Sequence, residues 1–199
     1  MLTLLLVRHA THGLLGRVLA GRLPGVSLNE AGLAEAERLG GMLAGRGISR
    51  ILSSPLERTR ETAAALATRS GCPVEIAEEI NEIDCGTWTG AAFETLPEQP
   101  LWHSWNHERA TAAIPGGESM AAVQTRALGL VARLAAEASE TDVTVALVTH
   151  SDVVKALVLA ALGLSLDRYD HLTIDPASVT TLHVFGDYMR VVRMNEVAA

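Results

Sequence analysis

Several side chains at widely separated points of the sequence share one kind of chemistry. Arg8 and His9 end the opening apolar run of MLTLLLVRHATHG, Arg58 lies in SSPLERTRETA, and His150 lies in VTHSD. The stretch NEIDCGTWTG offers two carboxylates, Glu82 and Asp84. Brought to one place, two imidazoles and two guanidiniums repel unless an anion lies between them. A phosphoryl group meets that need. The planar fork of arginine matches its oxygens, and the N-termini of helices opening at Pro55 and Ser151 would add backbone N–H donors. A histidine with one unprotonated ring nitrogen can attack phosphorus and carry it as a phosphohistidine, while the other histidine binds the transferring oxygens. An alkoxide is a poor leaving group, so an acid is also required, and Glu82 and Asp84 are the candidates.

The elements that must position these groups can be read from apolar patterning. Leu2 to Val7 is a continuous apolar run, the kind buried on both faces of a helix-covered sheet. Asn29 caps a helix running to about Gly45, with Leu33, Ala36, Leu39 and Leu43 on one face. Ile48 to Ser53 reads as a short strand, and Ser54-Pro55 as the N-cap and first residue of a helix through Ala67. Val74 to Ala77 is a further short strand. The stretch 86–117, which holds all three Trp, is loop-rich and reads as an insertion or lid. A long amphipathic helix spans Glu118 to Ala138 after the turn PGG. Val143 to Val148 is the second strong strand, followed by a helix over Asp152 to Leu162. Val179 to Phe185 and Tyr188 to Met194 flank Gly186-Asp187 as a hairpin.

Strands alternating with helices predict an α/β fold: a three-layer sandwich, mostly parallel, with an antiparallel edge and helices on both faces. Ligands of such sheets bind beyond the carboxyl ends of the strands, which is where Arg8-His9, Arg58 and His150 should gather. The 199 residues suit a single domain over 1–199. A formal net charge of −7 argues against nucleic acid as a partner, and no apolar stretch is long enough for a membrane span. Cys72 and Cys85 form no CxxC pair and have no metal-ligand spacing, which points to reduced thiols in a cytoplasmic protein.

Taken in order, VRHAT, SSPLERTRETA, NEIDCGTWTG, PGGES and VTHSD resemble the histidine phosphatase superfamily, the phosphoglycerate mutase-like proteins, over nearly the whole chain. The resemblance implies that His9 is the nucleophile and that Arg8, Arg58 and His150 complete the phosphate pocket. It makes Glu82 the general acid and base, and implies that no metal or organic cofactor is needed. Arg22, in AGRLPG, matches a position often near that pocket, with a loop salt bridge as the alternative. Three positions depart from the family pattern. Ala10 and Ser151 stand where glycines are usual, and Leu15 stands where many members carry a phosphate-binding asparagine. Thr11 or His12 is then the substitute contact, and Ser151 is counted with the substrate-binding residues.

The implied activity is hydrolysis of a small phosphorylated metabolite. The alternatives are a phosphoglycerate mutase-type phosphomutase, which this short chain disfavours, and a non-catalytic phosphate-ligand binding protein. Sugar phosphates, nucleotide-related phosphates, phosphoglycerates and α-ribazole phosphate all fit the resemblance, and neither substrate nor oligomeric state is legible. His103 and His107 have the i,i+4 spacing of zinc ligands but no third partner, so with Trp102 and Trp105 they read as lining the substrate mouth or a packed lid. Glu118-Ser119 reads as a helix start near the site, and His171 and His183 as structural.

Overall fold

A computed structural model describes residues 1–138 and 142–198. Six strands form one sheet: β1 (Leu2–Arg8), β2 (Ile48–Ser53), β3 (Val74–Ile76), β4 (Val143–Thr149), β5 (Ser178–Phe185) and β6 (Tyr188–Val197). Their spatial order is β3-β2-β4-β1-β5-β6. The first four of these strands run parallel, and β5 and β6 are added antiparallel. The helices are α1 (Glu30–Leu43), α2 (Glu57–Ser70), the short α3 (Trp102–His107), α4 (Met120–Glu137) and α5 (Ser151–Ala161).

The alternation of side chains along a strand builds the three layers. Leu4 and Leu6 of β1 join Leu52, Val145 and Leu147 in the core beneath α4 and α5. Leu5 and Val7 point the other way and join Ile51, Ala146 and Val148 in the core beneath α1 and α2. The unbroken apolar run thus reflects a strand covered on both faces.

The helix boundaries show where local signals hold. Asn29 caps α1 as expected, its side chain accepting from the Gly32 amide. Leu33 is corrected: it is 51% exposed and lies off the apolar stripe, which Ala36, Leu39 and Leu43 form. Ser54-Pro55 does not open α2, which starts at Glu57 with Leu56 at the N-cap and no side-chain cap. The Ser54 amide instead donates to the Val148 carbonyl at 3.0 Å, extending the sheet by one residue. Helix α2 also runs past Ala67 to Gly71, whose φ of 75° provides the left-handed stop. The 86–117 stretch has short helical turns at Gly86–Trp88 and Leu96–Glu98 besides α3. The β5–β6 hairpin turns at Gly186-Asp187, with Phe185 opposite Tyr188.

Candidate active site

Register on the sheet assembles the site. Arg8 pairs with Thr149 on the neighbouring parallel strand, so the next residues, His9 and His150, leave the sheet side by side. The His9 amide donates to the Thr149 carbonyl at 2.9 Å, and the two imidazole centroids are 5.2 Å apart. Strand β2 lies on the other side of β4, and Arg58 comes from the first turn of α2, which follows it. Arg8, His9, Arg58, Glu82 and Ser151 line one cavity of about 360 Å³, together with His12 and Leu15.

His9 is buried, and its Nδ1 lies 2.8 Å from the Ala10 carbonyl oxygen. A carbonyl only accepts, so Nδ1 carries the proton and Nε2 keeps its lone pair. Burial and the charge of Arg58 hold the His9 pKa well below the usual histidine range, leaving the ring neutral at neutral pH. The Ala10 amide donates to Thr62 Oγ1 at 3.1 Å, fixing the backbone that orients the ring.

The two guanidiniums are held by carbonyls and left partly unused. Arg58 Nη2 donates to the Gly21 carbonyl at 2.7 Å and approaches His150 Nδ1 at 3.4 Å. Arg8 Nη1 donates to the Ile174 carbonyl. Arg8 Nε, Arg58 Nε and Arg58 Nη1 are buried with no hydrogen-bond partner. Each such donor costs about 1–3 kcal/mol, more when charged, so three of them beside one cavity call for an anion.

His150 is fully buried, and Nε2 lies 2.8 Å from Ser54 Oγ. Burial and Arg58 push its pKa well below the usual value. Nδ1 is 3.5 Å from Glu82 Oε2. Glu82 is only 15% exposed, and its pKa is raised to about 8, by burial first and then by the charge of Asp152. It therefore carries its proton at neutral pH, as a proton donor must. Asp84 lies apart: its carboxylate accepts from the Gly86 amide at 2.9 Å, is 42% exposed and does not line the cavity.

The loop bearing Glu82 is held by residues that the sequence reading treated only in part. Arg22 Nε donates to the Glu82 carbonyl at 2.8 Å and Arg126 Nη2 donates to the same oxygen at 3.2 Å. Glu118 bridges these arginines, at 2.8 Å and 3.1 Å, and accepts from the Asp84 amide at 3.1 Å. Arg22 is thus placed behind Glu82 rather than in the cavity, in a salt bridge with Glu118. Asn81 Oδ1 accepts from the Glu82 amide at 2.8 Å and from Ser54 Oγ at 3.3 Å, linking Glu82 to His150. No local motif marks Arg126, Asn81 and Ser54 as parts of the site; the pairing of Glu118 in PGGES with a basic residue in the helix it opens is the one signal in the sequence that points to Arg126.

Thr11 is not brought into the cavity. Its amide and hydroxyl both donate to Glu35, at 2.9 and 3.0 Å. His12 is placed there instead, 5.3 Å from His9 between ring centroids. Ser151, the first residue of α5, lines the cavity, whereas Pro55 lines a separate open groove. The His103 and His107 rings stack at 4.1 Å, and His107 Nδ1 lies 2.8 Å from the His103 carbonyl oxygen. Among the described residues no group of three or more His, Cys, Asp or Glu side chains is placed to hold a metal ion, and no helix is long and apolar enough to cross a membrane.

Comparison with known proteins agrees with this geometry. The chain is 31% identical over 189 residues to phosphoserine phosphatase 1 of Hydrogenobacter thermophilus, covering 92% of this chain and 87% of that one. It is 34% identical over 173 residues to the glucosyl-3-phosphoglycerate phosphatase of Mycolicibacterium vanbaalenii, covering 83% and 76%. The structure of a mycobacterial glucosyl-3-phosphoglycerate phosphatase superimposes with a TM-score of 0.86 at 30% identity, over 97% of this chain and 98% of that one. A profile of the histidine phosphatase superfamily (branch 1) matches residues 4–197, and the chain belongs to that family.

Proposed function

We propose that this protein is a phosphomonoester hydrolase of the phosphatase branch, acting on a small phosphorylated metabolite through a phosphohistidine on His9. The observation that carries the reading is the trio of buried, unpartnered guanidinium donors around a neutral histidine whose Nε2 is free. The relatives, named as phosphatases of phosphoserine and of glucosyl-3-phosphoglycerate, support the same class of reaction.

His9 Nε2 attacks phosphorus, forming the P–N bond as the P–O bond to the alcohol breaks, and Glu82 gives its proton to the departing oxygen. Glu82, now a carboxylate, takes a proton from water. The resulting hydroxide displaces the phosphoryl group from His9, restoring the nitrogen lone pair and releasing inorganic phosphate. Arg8 and Arg58 hold the equatorial oxygens throughout, with the N-terminal amides of α5 at Ser151. His150, expected among the phosphate ligands, has Nε2 on Ser54 Oγ and Nδ1 towards Arg58 and Glu82, and so positions those two groups. Arg22 steadies the loop that carries Glu82. We read residues 1–199 as one catalytic domain, with 86–117 as the insertion that shapes the mouth. The free thiols Cys72 and Cys85 suit a cytoplasmic setting.

The test is phosphate release from p-nitrophenyl phosphate by the wild type and by His9→Ala. Loss of the nucleophile should cost several orders of magnitude in kcat. A His9→Ala protein keeping a tenth of the wild-type rate, by an order-of-magnitude standard, would overturn the assignment.

A further inference from the structure

The cavity divides sharply in character. Its floor carries the charged groups described above. Its mouth is walled by Leu15, Val18, Leu19 and Phe93, with no charged side chain among them.

Two chain segments fix that wall. The Leu19 amide donates to the Ala91 carbonyl at 2.9 Å, the Phe93 amide donates to the Arg17 carbonyl at 3.0 Å, and Val18 bridges to Ala92. This ribbon presents Phe93 at the cavity with 38% of its surface exposed. An aromatic side chain that lines the same cavity as His9, on a segment held by backbone hydrogen bonds, suits an apolar group on the ester.

Neither arginine near the mouth lines the cavity. Arg17 is exposed, with its guanidinium on the Gly13 carbonyl. Arg22 is tied to Glu118 and to the Glu82 carbonyl. His12 could supply charge only when protonated, and burial together with Arg58 and Arg8 lowers its pKa to about 4. A second anionic group on the substrate would therefore lie against leucine, valine and phenylalanine, with no cation among the side chains that wall the mouth. Sugar hydroxyls would find no side-chain partner on these four residues either.

We propose that the alcohol this enzyme releases is uncharged and apolar, so that its substrates are aryl or aryl-alkyl phosphates rather than phosphorylated carboxylic acids or sugars. Leu15 and Phe93 are the residues that set the preference. The inference rests on the hydrolase reading, and the experiment separates the two.

Steady-state kcat/KM is measured for 2-phenylethyl phosphate, O-phosphoserine and 3-phosphoglycerate, all with aliphatic leaving groups, so that alcohol acidity does not dominate the comparison. The wild type should favour 2-phenylethyl phosphate by about tenfold or more. Phe93→Ala should raise KM for that substrate by more than it raises KM for phosphoserine, narrowing the preference between the two. Leu15→Lys, which adds a cation at the mouth, should narrow or reverse the preference against 3-phosphoglycerate. In parallel, phenylphosphonate and phosphonoacetate are titrated calorimetrically, and the phenyl compound should bind more tightly. Equal or better turnover of the two carboxylates by the wild type overturns the proposal and leaves the hydrolase reading standing. Absence of turnover with every ester overturns the hydrolase reading instead. The order of the two phosphonate affinities then decides the character of the mouth, and tighter phosphonoacetate binding overturns the proposal.

Discussion

Glu82 is the group whose protonation the site controls most directly, and its removal can be followed quantitatively. With a pKa of about 8, about nine in ten Glu82 side chains carry a proton at pH 7. At the ordinary value of 4.5 only about one in 300 would, so burial, with the charge of Asp152, is what keeps the donor protonated. The rate with an alkyl phosphate should therefore hold up across neutral pH and fall about tenfold per pH unit above roughly pH 8. The acid side is less informative, because the substrate's own second ionisation lies near about pH 6. Glu82→Gln should slow an alkyl phosphate by about 10²–10⁴-fold at pH 7 and abolish the alkaline fall. It should slow the first turnover of p-nitrophenyl phosphate far less, since nitrophenolate leaves unaided; rapid quench separates that turnover from dephosphorylation. Removing the neighbouring negative charge with Asp152→Asn should move the alkaline fall to lower pH. Asp84→Asn should leave its position unchanged. An alkaline fall that survives Glu82→Gln but disappears in Asp84→Asn would refute the assignment of the acid.

Other outcomes follow from packing and charge. A Cβ at Gly117 would lie 2.2 Å from the Asp84 carbonyl oxygen, so Gly117→Ala should displace the Glu82 loop and cut kcat by about 10²-fold. Gly129→Ala in α4, where an added Cβ would meet nothing within 4 Å beyond its own helix backbone and chain neighbours, should instead raise stability by roughly 1 kcal/mol with activity retained; thermal melts and rates of both variants check this. Activity should persist after exhaustive chelation with EDTA, because Arg8 and Arg58 supply positive charge at the phosphate; loss on chelation that a single divalent metal restores would contradict this. With 3-phosphoglycerate, alone or primed with 2,3-bisphosphoglycerate, phosphate release should exceed formation of 2-phosphoglycerate, and the reverse ratio would favour phosphoryl return over hydrolysis.

Much of this was legible because it is local. Leu2–Val7 and Val143–Val148 announce strands covered on both faces, Asn29 is a cap wherever its helix packs, and Gly186-Asp187 turns a hairpin. The ends of those strands then bring Arg8, His9 and His150 together. What escaped is set by contacts distant in sequence. Leu33 has an apolar neighbour pattern, but α1 is rotated so that Leu39 and Leu43 face α2 and the sheet. Ser54-Pro55 looks like a helix start until β2 is extended by the bond from Ser54 to Val148. Glu82 and Asp84 are both carboxylates two positions apart, and the resemblance favours Glu82; what residue type alone does not carry is the hold of Arg22 and Arg126 on the Glu82 carbonyl, and the turn at Gly86 that keeps Asp84 out of the cavity. Thr11 and His12 likewise compete on equal terms until Glu35 claims the threonine.

The central claim is a covalent bond between phosphorus and His9. The most direct test is to mix Glu82→Gln protein with p-nitrophenyl phosphate, quench in alkali, where phosphohistidine survives, digest, and locate the phosphoryl group by mass spectrometry. The account predicts phosphate on His9, accumulating because the variant lacks the base that activates water. Phosphate on any other residue, or turnover with no phosphorylated peptide at any time, would contradict it.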